Sequence, residues 1–486
     1  MHNTPVLPAD LLKKYDTQAS SYTTYPTASQ FHKNFDVSHF ERHSTLSNAS
    51  LLPKDLSIYV HLPSCHSLDD GGSNKVTSGA GTQVDTHTDT HTDTMTRTKA
   101  NARKLNNYLE RLLCEIAMRG KLFSDDRLVT HIHFGGAIRK TLSTEKLASI
   151  LDQIALQFHL DVPSNLEISI ELDPRYTSPL EIKCLAECGI NRFDINVRSF
   201  SNTVPQANNP EELTLAAIEA AMHLAKSVNV NLITSLPIHH LAGFEETLSR
   251  VIDTGVTRVA AYDLADSPNP IMLPQMIYGT AQNDTKTRLA LSSLVRSKLL
   301  DANYKHIGMG YYALQNDSLA MAQNRGELRR NFQGYTAHSD NDLIGVGASA
   351  VSKLDTAFSQ NQSTLSLYSE LIDDKRLPIG KGIELSNDDR IRADVIEQIM
   401  CRVEVDLSTK LSQFTDSNNH TPLFEYLKRE LLELKSFEQY GLVSFNDQGF
   451  EITETGRYFM RPIAAVFDRY SNPMFDRHIL PFSRKL

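Results

Sequence analysis

Short apolar runs alternate along much of the chain with longer segments in which apolar residues recur at helical spacing. The short runs are typical of buried β-strands, and the longer segments, such as 106–118 and 211–225, indicate amphipathic helices. Strands that alternate with crossover helices predict βαβ units and a parallel sheet. The predicted strands are residues 57–61, 129–134, 166–170, 192–197, 229–234 and 258–264. The pattern therefore predicts an α/β fold whose units fit a partial barrel.

The pattern changes beyond residue 375, where helical segments at 388–403 and 422–439 precede two short strand-like runs. These runs flank a polar turn at 446–449 and predict a hairpin. Helices followed by a hairpin are typical of a winged-helix-like cap. We predict three parts, which are an N-terminal arm over 1–55, a barrel domain over 56–375 and a C-terminal helical domain over 376–486.

A polar, low-complexity insertion over residues 76–103 interrupts the predicted barrel domain. From Asp85 onward it repeats the unit Asp-Thr-His-Thr, which contains no apolar residue. Such a repeat cannot build a hydrophobic core, so we predict that the insertion is exposed and disordered. The alternating histidines and aspartates leave weak collection of Zn²⁺ or Cu²⁺ as a second possibility.

Composition excludes several classes of protein. The 486 residues are 40% hydrophobic and 22% charged with a net charge of −9, which predicts a globular protein without attraction to nucleic acid or anionic membranes. No leader-like segment or spanning apolar run is present, so we expect a cytoplasmic protein. We also expect a monomer. The five cysteines are scattered and odd in number, which does not indicate a disulfide framework.

The loop after the first predicted strand carries the most specific chemistry. It begins with Pro63 and Cys65 and has the frame of an iron–sulfur loop with the spacing C-x3-C-x2-C. That spacing would place thiolates at 65, 69 and 72, but Asp69 and Gly72 occupy the last two places. A glycine supplies no ligand and a carboxylate supplies only a hard oxygen, so the loop retains one thiolate.

Several segments together resemble the oxygen-independent coproporphyrinogen III oxidases of the radical SAM superfamily. These segments, in chain order, are residues 22–28, 59–63, 170–175, 307–309, 330–336 and 461–468. The resemblance covers nearly the whole chain and implies a (β/α)6 radical-SAM barrel beneath a C-terminal cap. It also implies a 4Fe–4S cluster, S-adenosylmethionine (SAM) as cofactor, and coproporphyrinogen III or another tetrapyrrole as ligand.

The resemblance also implies roles for individual residues. Cys65 matches the first cluster ligand, and the contacts to SAM fall on Tyr59, Gly135, Gly136, Glu171 and Ala265. Glu171 matches the glutamate that contacts the ribose. The family's Gly-Gly-Gly-Thr-Pro turn is altered, because Ala137, Ile138 and Arg139 follow the two glycines. Where the family has glutamine, arginine and aspartate around SAM, this chain has Arg198, Pro210 and Asn231.

These coordinated losses predict a family member whose oxidation of coproporphyrinogen III is impaired or absent. One alternative is a working oxidase whose cluster is held by Cys65 and by ligands that the sequence does not identify. Another is a non-catalytic protein that binds a porphyrin, haem or a partner enzyme, for which His61, His66, His87 and His91 are potential iron ligands.

Overall fold

The structure is a computed structural model. It describes residues 22–62, 91–136, 142–200, 210–234, 241–262, 285–338, 341–354, 356–409, 414 and 422–471. Within these residues the chain divides into two compact units. One unit, here called the β1 unit after its strand β1 (Leu56–Leu62), comprises His32–Phe193 and Asn341–Gly382. The other, the C-terminal unit, comprises Met1–Phe31, Asp194–Asp340 and Ile383–Leu486.

The elements follow one another along the chain in the alternating order that the sequence indicates. The strands are β1 Leu56–Leu62, β2 Leu128–Gly136, β3 His159–Leu160, β4 Glu167–Leu172, β5 Arg192–Val197, β6 Ser227–Ile233, β7 Arg258–Tyr262, β8 Tyr304–Gly308, β9 Tyr311–Leu314, β10 Arg329–Asn331, β11 Gly334–Thr336, β12 Asp342–Val346, β13 Val351–Leu354, β14 Ala357–Asn361, β15 Ile379–Glu384, β16 Glu404–Asp406, β17 Val443–Phe445 and β18 Gly449–Ile452. The helices are α1 Val37–Asn48, α2 His91–Gly120, α3 Thr144–Gln157, α4 Pro179–Glu187, α5 Glu211–Leu224, α6 Leu241–Asp253, α7 Thr285–Asp301, α8 Ser318–Arg325, α9 Leu365–Asp373, α10 Asn387–Cys401, α11 Leu423–Tyr426, α12 Lys428–Gln439 and α13 Met460–Ala465, with 3-10 turns at Ala28–Gln30 and Gly456–Phe459.

Parallel strands form the centre of the β1 unit. β1 pairs in parallel with β12 on one side and with β2 on the other, and β2 pairs in parallel with β4. β12, β13 and β14 continue as an antiparallel meander. One face of these strands is apolar, with Ile58, Ile132 and Ile168 buried. The helices α2 and α3 pack against each other, as crossover connections of parallel strands do.

The C-terminal unit combines a second group of strands with a helical region. β6 and β7 are parallel, and β9 and β8 extend them as antiparallel strands. Farther along the chain, β16 follows α10, and β17 and β18 follow α12; the three strands form a small antiparallel sheet in the order β16, β18, β17. α10 packs against α13 and β16 in a continuous hydrophobic core. This region contains the helices and the hairpin predicted for the C-terminal domain.

The first and last turns of several helices follow the capping rules that the sequence supplies. Asp36, Ser178 and Ser386 each accept a hydrogen bond from the third residue of the helix that follows, and each helix returns a side-chain bond to the cap. This reciprocal arrangement satisfies amide groups that have no partner within the helix. The caps fix where α1, α4 and α10 begin.

The structure confirms the six predicted strands to within about two residues at each end in its described part. Asp263 and Leu264, predicted to end the sixth strand, lie outside the described residues. The predicted disorder of 76–103 is wrong for 91–103, because helix α2 begins at His91. Extending a helix that is already packed through Leu105, Tyr108 and Leu112 requires no new nucleation, so the helix continues into the polar repeat. Residues 76–90 lie outside the described residues.

The segment predicted as an arm over 1–55 is divided between the two units at Phe31 and His32. Its residues 37–48 form helix α1, whose Phe40 is buried within the β1 unit. In the described ranges, no helix combines the length and the apolar character needed to span a membrane.

Candidate functional site

A polar face runs along β1, β2 and β4, opposite the apolar face that meets the helices. Tyr59 lies opposite His133 in the β1–β2 register, and His133 lies opposite Ser169 in the β2–β4 register. Parallel strands covered by helices on both faces are usually apolar on both. The polar side chains therefore mark this face as one that borders a polar environment rather than a second layer of helices.

Two histidines on β2, His131 and His133, both contact the hydroxyl group of Ser169. The Ser169 hydroxyl oxygen lies 2.6 Å from His133 Nδ1 and 3.1 Å from His131 Nε2. Because a serine hydroxyl has one hydrogen, at least one of the two imidazoles donates to it. The serine is 4% exposed, and the two histidines are also buried. The network fixes the orientation of both rings.

Two glycines end β2 beside this network. A Cβ at Gly135 would lie 2.6 Å from Cε2 of Tyr59 and 3.1 Å from Nε2 of His133. Gly136 has φ +99°, and a Cβ there would collide with the carbonyl oxygen of Leu62. Both positions therefore exclude any side chain, and Gly136 also adopts a backbone conformation that other residues rarely take.

Glu171 lies near the end of β4, where its carboxylate meets the end of β2. Its Oε2 accepts a hydrogen bond of 3.4 Å from the Gly136 amide, and its Oε1 lies 3.5 Å from His133 Nε2. The side chain is 22% exposed. The carboxylate thus faces the Gly135–Gly136 turn and remains accessible to a ligand there.

Tyr59 and His61 complete the site at the end of β1. The Tyr59 hydroxyl lies 3.0 Å from His61 Nδ1, and the Tyr59 ring stacks on His133 with 5.8 Å between centroids. Burial raises the pKa of Tyr59 well above its usual range, and the nearby Glu171 charge raises it further. Burial lowers the pKa of His61 to about 4, so its imidazole is neutral near pH 7.

Buried polar side chains on helix α2 form hydrogen bonds with the backbone at the ends of β1 and β12. The Tyr108 hydroxyl donates to the carbonyl oxygen of His61 and accepts from the Ala348 amide, at 2.9 and 3.1 Å. Two turns farther on, Glu115 accepts from the Gly347 amide at 2.8 Å and pairs with Arg119 at 2.8 Å. These contacts anchor the backbone beneath the polar face.

The structure brings together four of the residues selected from the sequence, Tyr59, Gly135, Gly136 and Glu171. It adds His61 as their neighbour, which the sequence offered only as one of several histidines. His131, His133 and Ser169 were missed, although the alternation His-Ile-His within a predicted strand is a detectable signal of a polar strand face.

Relatives of the chain extend over nearly its full length. It is 32% identical to the oxygen-independent coproporphyrinogen III oxidase of Synechocystis sp., with 97% of this chain and 98% of that protein covered. The enzyme of the same description from Pseudomonas aeruginosa is 32% identical, with 95% of each chain covered. The chain belongs to the oxygen-independent coproporphyrinogen III oxidase family.

A solved structure agrees with this membership. The chain superimposes with a TM-score of 0.77 on coproporphyrinogen III oxidase from Escherichia coli, described as a radical SAM enzyme, at 30% identity and with 94% and 98% of the two chains covered. No family model matches the chain. The predicted fold class, a radical SAM α/β fold with a helical C-terminal part, is confirmed.

Members of the oxygen-independent coproporphyrinogen III oxidase family are expected to hold a 4Fe–4S cluster, and the family resemblance places its ligands in the loop at Cys65. Cys65 lies outside the described residues, together with Asp69 and Gly72. Cys401 is buried in the C-terminal unit, Cys114 lies on α2, and Cys184 and Cys188 lie on α4 and at its end. In the part of the chain that the structure describes, no three histidine, cysteine or acidic side chains converge to hold a metal.

The other positions that the family resemblance selects fall in several places. Ala265 and the altered turn 137–139 lie outside the described residues. Pro210 is the exposed cap of α5. Asn231 accepts a hydrogen bond from Asn229 at 2.8 Å and donates one to Asn196 at 3.1 Å, so its amide is engaged by its neighbours.

Proposed function

We propose that this member of the coproporphyrinogen III oxidase family binds a tetrapyrrole but does not oxidise it through SAM chemistry. The proposal rests on which side chains the chain offers as ligands for an iron–sulfur cluster. A cubane cluster is held by several thiolates, and the loop at Cys65 offers one of them, with Asp69 and Gly72 in the other two positions. Without a cluster there is no electron donor for SAM cleavage.

The altered glycine turn supports the same proposal. Gly135 and Gly136 retain the tight backbone at the end of β2, but Ala137, Ile138 and Arg139 replace the rest of the family's turn. A Cβ at the third position and the loss of a rigid proline change the backbone that would approach SAM. We therefore expect SAM to bind weakly or not at all.

Retention of a ligand is supported by the polar face of the β1 unit. The family relatives are named for coproporphyrinogen III, a tetrapyrrole. Tyr59, His133 and Glu171 still present hydroxyl, imidazole and carboxylate groups at the strand ends, where ligands of such sheets bind. The Glu171 side chain is 22% exposed, so its carboxylate remains accessible to a ligand at this face.

The intact segments 22–28 and 330–336 have a structural explanation instead. The Tyr22 hydroxyl donates to Asp468 at 2.9 Å, and the Tyr335 hydroxyl donates to the Met400 carbonyl at 2.7 Å. Both tyrosines belong to the hydrophobic core of the C-terminal unit. Their retention therefore follows from packing and is not itself evidence for a tetrapyrrole.

Anaerobic reconstitution with iron and sulfide tests the proposal. We expect the wild-type protein to contain little iron and to release no 5′-deoxyadenosine from SAM. The matched variant Asp69→Cys/Gly72→Cys restores the thiolate spacing, so it should assemble a cluster yet fail to convert coproporphyrinogen III, because the altered turn remains. About four irons and sulfides per wild-type chain, with SAM cleavage, would instead establish a working oxidase with unidentified ligands.

Binding of metal-free protoporphyrin IX, followed by quenching of its fluorescence, tests the second half of the proposal. We expect saturable binding to the full-length chain in the absence of iron, sulfide and SAM. Absence of saturable binding would contradict a retained tetrapyrrole site, whatever the outcome of the reconstitution.

A further inference from the structure

A hydrogen-bond chain alternates between β2 and β4, in the order His131, Ser169, His133 and Glu171. Nε2 of His131 lies 3.1 Å from the Ser169 hydroxyl oxygen, which lies 2.6 Å from Nδ1 of His133. The other ring nitrogen of His133, Nε2, lies 3.5 Å from Oε1 of Glu171. All of these residues lie within the described part of the β1 unit. Because each group contacts the next, the position of one proton constrains the positions of the others.

The Glu171 carboxylate determines the direction of this chain. An ionised carboxylate only accepts hydrogen bonds, so the nitrogen of His133 that faces it must carry a hydrogen. A neutral imidazole has a single N–H group, which leaves Nδ1 of His133 as an acceptor for the Ser169 hydroxyl. The Ile132 carbonyl oxygen, 3.4 Å from the same hydroxyl, is a much longer alternative for that hydrogen. The Ser169 oxygen then accepts from Nε2 of His131, so every contact pairs one donor with one acceptor.

Burial favours the neutral form of His133 over the imidazolium. The residue is 6% exposed, and the Tyr59 ring stacks on its imidazole. Removing an imidazolium from water costs free energy. The carboxylate that faces the ring is 3.5 Å away, farther than the roughly 2.7–2.9 Å of a charge-assisted hydrogen bond. An imidazolium would carry hydrogens on both nitrogens and donate to Ser169, so the two forms of His133 differ in the direction of that hydrogen bond.

The carboxylate at the end of the chain is contacted on both oxygens. The Gly136 amide donates to Oε2 of Glu171 at 3.4 Å, while Nε2 of His133 faces Oε1. Contacts on both oxygens fix the orientation of the carboxylate, and its remaining lone pairs are presented by a side chain that is partly exposed. A ligand group that reaches Glu171 therefore meets an oriented acceptor.

We infer that His131 and Ser169 are positioning residues of the ligand site, which act on Glu171 by holding His133 as the neutral tautomer with its hydrogen on Nε2. The link to a ligand rests on the proposed function, whereas the tautomer is a property of the free protein. The role needs no thiolate and no SAM, so it is independent of the cluster loop.

Nitrogen NMR of the ligand-free, full-length protein with isotope-labelled histidine tests the tautomer. At neutral pH we expect His133 to show a protonated Nε2 and an unprotonated, hydrogen-bonded Nδ1. Its signals are assigned by their absence from His133→Gln, and by contacts of its ring protons with Tyr59 if that variant does not fold. Hydrogens on both nitrogens, or on Nδ1 alone, would overturn the inference.

Variants of Ser169 separate positioning from packing. Ser169→Ala removes the hydroxyl, so the Nδ1 signal of His133 should move to that of a nitrogen without a hydrogen bond. Metal-free protoporphyrin IX should bind this variant roughly threefold to tenfold more weakly, as expected for the loss of one hydrogen bond. Ser169→Thr keeps a hydroxyl and should restore both the signal and the affinity. Ser359→Ala is the matched control, because Ser359 is a buried serine on β14 of the same unit, and it should behave as the wild type.

The two measurements distinguish this inference from the proposed function. If the wild type does not bind metal-free protoporphyrin IX, tetrapyrrole binding is rejected, and the NMR spectrum still decides whether the hydrogen-bond chain has the inferred direction. If the wild type and Ser169→Ala bind the porphyrin equally, the proposed function stands and the positioning role is overturned. An Nδ1 signal of His133 that does not change in Ser169→Ala would also reject the role of the hydroxyl.

Discussion

At the scale of single residues, the site depends on positions where a side chain is impossible. Gly136 combines a positive φ with a close approach to the Leu62 carbonyl, and its amide donates to Glu171. Gly189 has nearly the same φ, +101°, but the nearest atom to a Cβ there is 3.7 Å away. Comparing substitutions at the two glycines therefore separates the free-energy cost of the backbone conformation from the free-energy cost of the steric collision.

Gly136→Ala should destabilise the protein more than Gly189→Ala. Both substitutions incur a backbone strain of about 1–3 kcal/mol, and only Gly136→Ala adds overpacking of about 1–3 kcal/mol. Denaturant unfolding of both variants measures the difference. Equal losses of unfolding free energy would mean that β1 and β2 relax apart without cost, and the rigidity assigned to this turn would be wrong.

At the scale of elements, helix α2 positions the site through a buried ion pair. Glu115 and Arg119 are fully buried, and Glu115 also accepts from Tyr368 and Asn361, at 2.8 Å each. These bonds tie α2 to α9 and to the end of β14. The sequence predicts the amphipathic helix from its spacing, but an acidic and a basic residue four apart are typical of an exposed face. Burial of this pair was thus not predictable from the sequence.

Glu115→Ala should cost roughly 3–5 kcal/mol of unfolding free energy, because it leaves Arg119 buried without its partner. Glu110→Ala is the control on the same helix, since Glu110 is exposed, and it should change stability by less than about 0.5 kcal/mol. The double variant Glu115→Leu/Arg119→Met should recover much of the loss. If the double variant is no more stable than Glu115→Ala, the loss of unfolding free energy comes mainly from the unsatisfied polar partners of Glu115 and not from the unpaired charge of Arg119.

At the scale of the whole molecule, the first and last described segments of the chain meet in the C-terminal unit. Tyr22 and Asp468 are hydrogen-bonded across 446 positions of sequence. Tyr25 accepts from the Arg469 amide at 3.1 Å, and both tyrosines are buried. Burial raises the pKa of Tyr22 far above its usual range, so the phenol stays protonated and donates its hydrogen bond. The segment that contains Tyr22 and Tyr25 thus packs into the hydrophobic core of that unit.

Tyr22→Phe should lower the unfolding free energy by about 1–3 kcal/mol, because the buried Asp468 loses a donor. Tyr440→Phe, at a tyrosine that is 40% exposed, should have a much smaller effect. Thermal unfolding of the two variants makes the comparison. A Tyr22→Phe midpoint equal to that of the wild type would mean that the N-terminal segment does not contribute to the cooperative unit.

The sequence by itself determined the strand and helix order, the family and the absence of cysteine at positions 69 and 72, because periodicity and motif spacing are local properties of the chain. It also located Gly135, Gly136 and Glu171 through the family resemblance, and each lies within two residues of the end of a predicted strand. Only the tertiary structure decided that the Tyr59 hydroxyl contacts His61, that Ser169 joins two histidines and that Glu115 is buried. These depend on register between strands and on which helix face is covered, which are contacts between residues far apart in the sequence.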